Sequence, residues 1–142
     1  MKISTRGRYA LRVMIDLAEH NAEGYIPMKT IAERQGISLK YLEQIVPVLT
    51  RSGLIAGIHG KGGGYKLIKP AEETMVGEIL RLTEGDLAPV ACLECDAKPC
   101  ARTGICKTLP MWKALHQMIN TFFDGISLAT LMKNSNTQNL PL

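Results

Sequence analysis

The sequence predicts a mainly α-helical fold that carries one small β-hairpin and a long amphipathic helix near its C-terminal end. Three observations support this prediction. Residues 5–52 place apolar side chains at helical spacing, two short β-prone runs flank a glycine-rich stretch, and apolar residues recur every three or four positions after Thr108. With 142 residues and 46% hydrophobic content, the chain can form one compact core with an appendage.

The first half is predicted to contain three helices. The first covers residues 5–20. The second covers residues 28–35 and is closed by Gly36, and Ser38 can cap a third helix that runs to residue 52. Two short helices joined across a tight glycine turn predict a helix-turn-helix.

The third helix is expected to be amphipathic. Leu42, Ile45 and Leu49 share one face, which leaves the polar side free to touch a ligand. Pro47 lacks a backbone donor and is expected to bend the helix near the carbonyl of Glu43.

A hairpin follows this helix. Residues 54–58 and 65–68 are predicted strands around the glycine-rich, basic tip formed by residues 59–64. The tip does not end in the Gly-Lys-Ser/Thr of a phosphate-binding P-loop, and it lies between strands and not before a helix. The hairpin is therefore interpreted as a wing beside the helix-turn-helix and not as a nucleotide site.

Charge separates the two halves of the chain. Residues 1–70 hold 11 Lys and Arg against 5 Asp and Glu, whereas residues 71–142 hold 6 against 8. A basic helix-turn-helix with a wing predicts binding to double-stranded DNA, since the second helix of such a motif enters the major groove and a wing follows the backbone or minor groove. The expected contacts are Ser38, Lys40, Tyr41, Glu43 and Gln44 in the helix and His59, Lys61, Gly62, Gly63 and Tyr65 in the wing.

The four cysteines fall in one short segment. Thr74 is expected to cap a helix over residues 75–83, and a loop with the spacing C-x2-C-x4-C-x5-C follows. Thiolates are soft ligands that suit iron-sulfur clusters and zinc, and a thiol-disulfide switch with three possible pairings is a further alternative. The cysteines are Cys92, Cys95, Cys100 and Cys106.

An apolar stripe marks the helix that begins near residue 108. The stripe is expected to pair with the same helix of a second subunit, the alternative being packing on the chain's own first domain. The expected interface residues are Leu109, Trp112, Leu115, Ile119 and Phe122, and the stripe continues to Ile126.

These elements predict four segments. Residues 1–70 form the winged helix-turn-helix, 71–107 the linking helix and cysteine loop, 108–133 the dimerisation helix and a terminal helix, and 134–142 a disordered tail. No run approaches the roughly 18 apolar residues of a membrane span, so a cytoplasmic protein without a membrane partner is expected.

Enzyme classes find little support in the sequence. No Ser/His/Asp arrangement or acid-base pair can be placed beside a pocket, so a non-enzyme is predicted. An electron carrier or thiol oxidoreductase is the alternative from another class. The Cys92 and Cys95 pair has a redox-motif spacing but lacks the strand-to-helix context of a thioredoxin-like site.

Four motifs closely resemble those of the IscR-like family of bacterial winged-helix iron-sulfur transcriptional regulators, and the chain also resembles NsrR and CymR. The motifs are Gly7-Arg8-Tyr9-Ala10, Ile31-Ala32-Glu33-Arg34-Gln35-Gly36-Ile37-Ser38, Tyr41-Leu42-Glu43-Gln44 and Gly62-Gly63-Gly64-Tyr65. The resemblance covers residues 1 to about 133. It implies a homodimer on inverted-repeat operators, with the helix from residue 108 as the dimer contact.

The resemblance also implies an iron-sulfur cluster, of the 2Fe-2S or 4Fe-4S type. Cys92, Cys100 and Cys106 have the C-x7-C-x5-C spacing of the family's iron- and nitric-oxide-sensing members. The fourth ligand is open: Cys95 is the natural candidate, and Glu94, Asp96 and His116 are weaker alternatives. Leu109 stands where 2Fe-2S members often have histidine, and His59 stands where arginine is common in the wing.

The function that the resemblance implies is transcriptional repression, or dual regulation. The regulator would sense iron-sulfur status, redox or nitric-oxide stress and control the genes of cluster assembly. A zinc- or thiol-based regulator of cysteine metabolism is the alternative within the same class.

Overall fold

The computed structural model describes residues 1–133, and these residues form six α-helices and one two-stranded antiparallel sheet. The predicted fold class is confirmed, and the predicted tail lies outside the described residues. Short 3-10 turns occupy Asn21–Glu23 and Ala91–Leu93. In chain order the elements are α1 (Thr5–Glu19), α2 (Met28–Gln35), α3 (Leu39–Arg51), β1 (Ile55–Ile58), β2 (Gly64–Leu67), α4 (Val76–Glu84), α5 (Leu109–Asp124) and α6 (Leu128–Lys133).

Helix α1 is the centre of the core. Ala10, Val13, Met14 and Leu17 are completely buried along it. Helices α2, α3, α4 and α6 and strand β2 all pack against α1. The helix-turn-helix and the C-terminal elements therefore share one hydrophobic core.

A buried carboxylate fixes α2 against α1. Asp16 is only 1% exposed, and its two oxygens accept hydrogen bonds from the Arg34 guanidinium at 2.6 and 3.0 Å and from the Gln35 amide at 2.9 Å. Arg12 of α1 also donates to the Gln35 side chain. Burial raises the pKa of Asp16, but the hydrogen bonds from Arg34 and Gln35 outweigh burial and hold the pKa below its ordinary value.

The beginning of α1 is attached to the end of α4. Ser4 caps α1 by accepting the Gly7 N–H at 3.1 Å, and its hydroxyl donates to Glu84 at 2.6 Å. A Cβ at Gly7 would collide with the Glu84 carboxylate, so a larger residue there would have to displace that flexible side chain from Ser4.

A second, smaller hydrophobic cluster includes residues of α4 and of the segments that follow α4 and α5. Val76, Leu80, Leu87 and Ile126 are buried there. Ile126 was expected to continue the α5 stripe, but α5 ends at Asp124 and Ile126 instead accepts the Val76 N–H in an extended segment.

The predicted cap of α4 is wrong by one residue. Met75, not Thr74, is the N-cap of α4, because the buried Thr74 hydroxyl donates to the carbonyl of Pro70. Pro47 lies inside α3 on its exposed side, and the helix is continuous from Leu39 to Arg51. Within residues 1–133, none of the helices combines the length and the apolarity that a bilayer span requires.

Replacing Asp16 with Asn is expected to lower the free energy of unfolding by about 2–3 kcal/mol at pH 7, because charge-assisted hydrogen bonds to a buried group are lost. The pKa of Asp16 is depressed in the folded state, so its contribution is complete above about pH 4 and disappears as the pH falls through the lowered folded-state value. Urea unfolding at pH 7 and at about pH 3 measures both effects.

The matched control for this prediction is Glu19→Gln, which removes a carboxylate from an exposed position of the same helix. It should change stability by less than about 0.5 kcal/mol. An Asp16→Asn protein that loses as much stability in acid as the wild type would contradict the prediction.

Candidate DNA-binding surface and cysteine loop

The turn between α2 and α3 has the geometry that its sequence predicts. Gly36 adopts a left-handed conformation with φ of 61°, and its N–H returns to the end of α2. The Ser38 hydroxyl then accepts the Tyr41 N–H at 3.2 Å and caps α3. The two helices are thus held as a rigid helix-turn-helix unit.

Helix α3 presents a polar face to solvent. Its apolar residues Leu42, Ile45, Val46 and Leu49 are buried, and four of the five residues expected to contact DNA are exposed. Those four are Ser38, Lys40, Glu43 and Gln44. Tyr41 is half-buried because its ring packs edge-to-face on Tyr9 of α1, with centroids 5.2 Å apart.

The hairpin stands beside this face and is anchored through strand β2, close to the wing tip. Strand β1 pairs with β2 in antiparallel register, and Tyr65 also exchanges backbone hydrogen bonds of 2.8 and 2.9 Å with Ile26, just before α2. A Cβ at Gly64 would come within 2.3 Å of the Ile26 backbone. The glycine therefore permits the contact that ties the wing to the helix-turn-helix.

The wing tip is open to solvent. His59, Lys61 and Gly62 are exposed, and Gly60 and Gly62 have φ values of 93° and 78°, which favour glycine. Gly63 is half-buried and its N–H bonds the Gly60 carbonyl at 3.0 Å. A basic tip of this shape can approach a narrow groove without bulky neighbours.

One basic residue was not predicted as part of this surface. A hollow of about 280 Å³ separates the end of α3 from the wing, and Arg51 lines it together with His59 and Tyr65. Arg51 belongs to the last turn of α3, so its position on the polar side was visible in the sequence. Its proximity to the wing depends on how the hairpin folds back.

Three of the four cysteines surround one hollow at the start of α5. Cys92, Cys100 and Cys106 line this space of about 100 Å³, which is called the three-cysteine hollow below. Leu93, Thr103, Leu109 and Lys113 complete its lining. Among residues 1–133, no three Cys, His, Asp or Glu side chains meet closely enough to hold a single metal ion.

Cys95 lies apart from the other three. It lines a second hollow of about 330 Å³, called the acidic hollow below, together with Glu84, Asp86, Glu94 and Asp96. The Cys95 N–H donates to Asp86 at 2.7 Å. The sequence placed all four thiols in one loop, and the structure distributes them between two neighbouring spaces.

The two environments differ in their effect on the thiols. Hydrogen bonding by the Thr108 hydroxyl, 3.4 Å from the sulfur, lowers the pKa of Cys106, and the backbone N–H groups of Thr108 and Leu109 act in the same direction. Hydrogen bonding to Asp86 and its negative charge raise the pKa of Cys95. The surroundings of Cys106 therefore favour the thiolate form that metals bind.

Helix α5 is attached to the rest of the chain along one side. Ile119, Phe122 and Phe123 pack on the second cluster, and Arg81 of α4 donates to Asn120 at 2.9 Å. No residue of α5 is buried in this single chain. Met111, Leu115 and Met118 are 53%, 37% and 67% exposed on the remaining apolar face.

A capped helix-turn-helix beside an anchored wing defines the class of winged-helix DNA-binding proteins. Within that class the chain belongs to the Rrf2 family, described as iron-dependent transcriptional regulators, whose family model matches residues 3–134. The family resemblance predicted from the four motifs is thereby confirmed.

Similar proteins support the assignment to this family. The HTH-type transcriptional regulator IscR of Aliivibrio salmonicida (strain LFI1238) is 40% identical over 139 residues, which cover 97% of this chain and 81% of that protein. Two solved structures are also similar. The global cysteine regulator CymR of B. subtilis has a TM-score of 0.77 at 35% identity, covering 96% of this chain and 99% of its own.

The second structure, IscR of T. potens, has a TM-score of 0.75 at 34% identity and covers all of this chain and 93% of its own. The chain is accordingly a DNA-binding transcription regulator. The prediction that it is not an enzyme is confirmed by these relatives, which are regulators.

Proposed function

We propose that the protein is a cytoplasmic repressor or dual regulator, active as a homodimer, whose DNA binding responds to an iron-sulfur cluster held by the cysteine loop. The observation that carries this proposal is the convergence of Cys92, Cys100 and Cys106 on one hollow. The iron-dependent description of the family and the relatives named IscR support it. Genes for iron-sulfur cluster assembly are the expected targets.

The donor set fits a cluster better than a lone ion. Three soft thiols at one hollow suit iron-sulfur chemistry, and a cluster spreads its ligands over several irons, so they need not meet at one point. Lys113 supplies positive charge beside the anionic thiolates. A bound cluster would supply a group that oxygen, nitric oxide or iron loss can alter.

Cys95 would be an additional ligand only after a local rearrangement. In the acidic hollow its backbone and thiol are engaged with Asp86. The three-cysteine set is therefore the proposed core of the site, with its fourth ligand supplied by another group or by Cys95 after release from Asp86. Three thiolates with one labile position would suit a 4Fe-4S cluster, whereas four thiolates could hold either the 2Fe-2S or the 4Fe-4S form.

A cysteine series tests the cluster. Anaerobically purified wild-type protein is expected to be brown and to contain iron and sulfide in matched amounts. Replacing Cys92, Cys100 or Cys106 with Ala should abolish the visible absorption, because each change removes a thiolate of the three-cysteine hollow. Cys95→Ala is the matched control and should keep most of the colour, since Cys95 lies in the acidic hollow.

Metal analysis of the same samples separates the alternatives. Zinc in colourless protein would overturn the cluster and favour a zinc-based regulator. Protein without metal after attempted reconstitution would favour a thiol regulator. The similarity to a structure described as a global cysteine regulator is the specific observation behind this second candidate function, control of cysteine metabolism.

DNA recognition is assigned to the exposed face of α3 and to the wing. Gln44 can pair with an adenine edge and Glu43 can accept from a cytosine amino group, while Ser38, Lys40 and Tyr41 reach bases or phosphates. His59, Lys61, Gly62, Gly63 and Tyr65 form the wing contact, which Arg51 extends. The expected operator is an inverted repeat that matches the twofold symmetry of the dimer.

Two substitutions distinguish base reading from phosphate contact. On a duplex selected by the wild type from a randomised pool, Gln44→Ala should cost about 1–3 kcal/mol, with little change on unrelated DNA. Lys61→Ala should weaken binding to both duplexes and reduce the slope of log affinity against log salt by about one. Fluorescence anisotropy over a range of salt concentrations measures both.

The matched control is Lys98→Ala, because Lys98 is an exposed lysine of the cysteine loop, outside the helix-turn-helix and wing. It should bind both duplexes as the wild type does. If neither Gln44→Ala nor Lys61→Ala changed affinity, the assigned surface would be wrong.

The homodimer forms through α5 in this proposal. The exposed apolar face contains the predicted residue Leu115 and adds Met111 and Met118 to the predicted interface residues Leu109, Trp112, Leu115, Ile119 and Phe122. Of these, Leu109 also lines the three-cysteine hollow, and Ile119 and Phe122 also pack on their own chain. Each subunit would bury an apolar surface that a soluble monomer rarely exposes.

Met118→Glu is expected to raise the dimer dissociation constant at least about tenfold, since a charge would be buried within the apolar face. Gln117→Glu is the matched control, because Gln117 is an exposed neighbour on another side of the helix. Sedimentation equilibrium checks both proteins. Unchanged association of Met118→Glu would exclude this face as the interface.

A further inference from the structure

We infer that Asp86 is a positioning residue that holds the cysteine loop against α5, so that the three-cysteine hollow is formed before any ligand binds. This inference rests on the proposed function of the loop and adds the residue that organises it.

The Asp86 carboxylate lies where three segments meet. One oxygen accepts the Ala88 N–H at 2.6 Å, and the other accepts the Cys95 N–H at 2.7 Å. On the other side, Nε2 of His116 in α5 is 3.9 Å from the carboxylate. Leu87, the next residue, is 2% exposed in the second cluster, so the carboxylate is held by a fixed part of the backbone.

The hydrogen bond from Cys95 to Asp86 joins residues that are farther apart in sequence than those joined by the other hydrogen bonds of the loop. Within the described part of the chain, the other hydrogen bonds of residues 88–106 join groups no more than three positions apart, as from Leu93 to Val90 and from Thr103 to Cys100. Such turns shape the chain locally but do not fix its position on the protein. The bond from Cys95 to Asp86 spans nine residues and does fix it.

The cysteine loop lies next to one face of helix α5. Leu109, Lys113 and His116 follow each other at steps of four and three residues, which places them on one side of the helix. Leu109 and Lys113 line the three-cysteine hollow, whereas His116 faces Asp86. The loop therefore lies next to α5 at two places, around the three-cysteine hollow and where Asp86 lies beside His116.

The energetic consequence is preorganisation. Ordering an exposed loop costs conformational entropy, and a ligand that binds a disordered loop must offset that cost. The hydrogen bond to Asp86 already orders the Cys95 segment when the chain folds. A ligand therefore has to offset a smaller loss of conformational entropy when it binds. Without Asp86, the protein should keep its fold, and its loop should become more mobile and hold a cluster less firmly.

The experiment compares Asp86→Ala and the conservative Asp86→Asn with the control Asp96→Ala in the full chain. Asp96 is an exposed carboxylate of the same acidic hollow, so the control removes the same charge. Amide hydrogen exchange of the metal-free protein reports the loop directly. Exchange at Cys95 should quicken about tenfold in Asp86→Ala and less in Asp86→Asn, as expected for loss of one hydrogen bond to a carboxylate.

The control should exchange like the wild type, and amides of α1 should be unaffected in all variants, which shows that the fold is kept. A chelator challenge of reconstituted protein supplies the second readout, with faster cluster loss expected for Asp86→Ala than for Asp96→Ala. Wild-type exchange at Cys95 in Asp86→Ala, or equal cluster loss in the two variants, would overturn the inference.

The two proposals fail in different ways. Wild-type protein that holds no cluster after reconstitution would refute the proposed function, and the exchange of the metal-free proteins would still decide whether Asp86 orders the loop. Wild-type protein that holds a cluster, with Asp86→Ala unchanged in both readouts, would refute only the role of Asp86.

Discussion

The burial of α1 is the constraint on which the rest of the structure depends. Its fully buried residues contact the helix-turn-helix on one side and the C-terminal helices on the other. The glycine at position 7 allows Glu84 to reach Ser4, which brings the end of α4 to the beginning of α1. The cysteine loop leaves from that point, so its origin is fixed relative to the DNA-binding surface.

Positive and negative charges are concentrated in different halves of the chain. The exposed basic residues of α3 and the wing lie in a half of the chain with a surplus of positive charge, where attraction to a polyanion favours association. The acidic hollow gathers Glu84, Asp86, Glu94 and Asp96 in the other half. The hydrogen bonds that Asp86 accepts outweigh its burial and hold its pKa below the ordinary value, so the carboxylate remains charged where the loop is attached.

Helix α5 links the loop to assembly because it has two different faces. One face meets the three-cysteine hollow, Asp86 and Arg81, and the other exposes Met111, Leu115 and Met118. In the dimer proposed above, the helix that pairs with the second subunit is also the helix that the loop contacts. In that proposal, a change in the loop would alter the spacing of the two DNA-binding units without any contact between loop and DNA.

The sequence by itself determined the local structure and the class of protein. Gly36 and Ser38 specify the turn of the helix-turn-helix through backbone conformation and capping, and the cysteine spacing marks the loop, since these signals act over a few residues. The division of the cysteines between two hollows was decided by tertiary structure. Asp86 meets Cys95, Arg81 meets Asn120, and Arg51 comes to lie beside the wing only when separate segments pack together, and no periodicity or spacing encodes these contacts. The end of α5 was also decided by tertiary structure. Ile126 fits the apolar helical pattern of the sequence, but in the folded chain its carbonyl accepts the Val76 N–H of α4 in an extended segment.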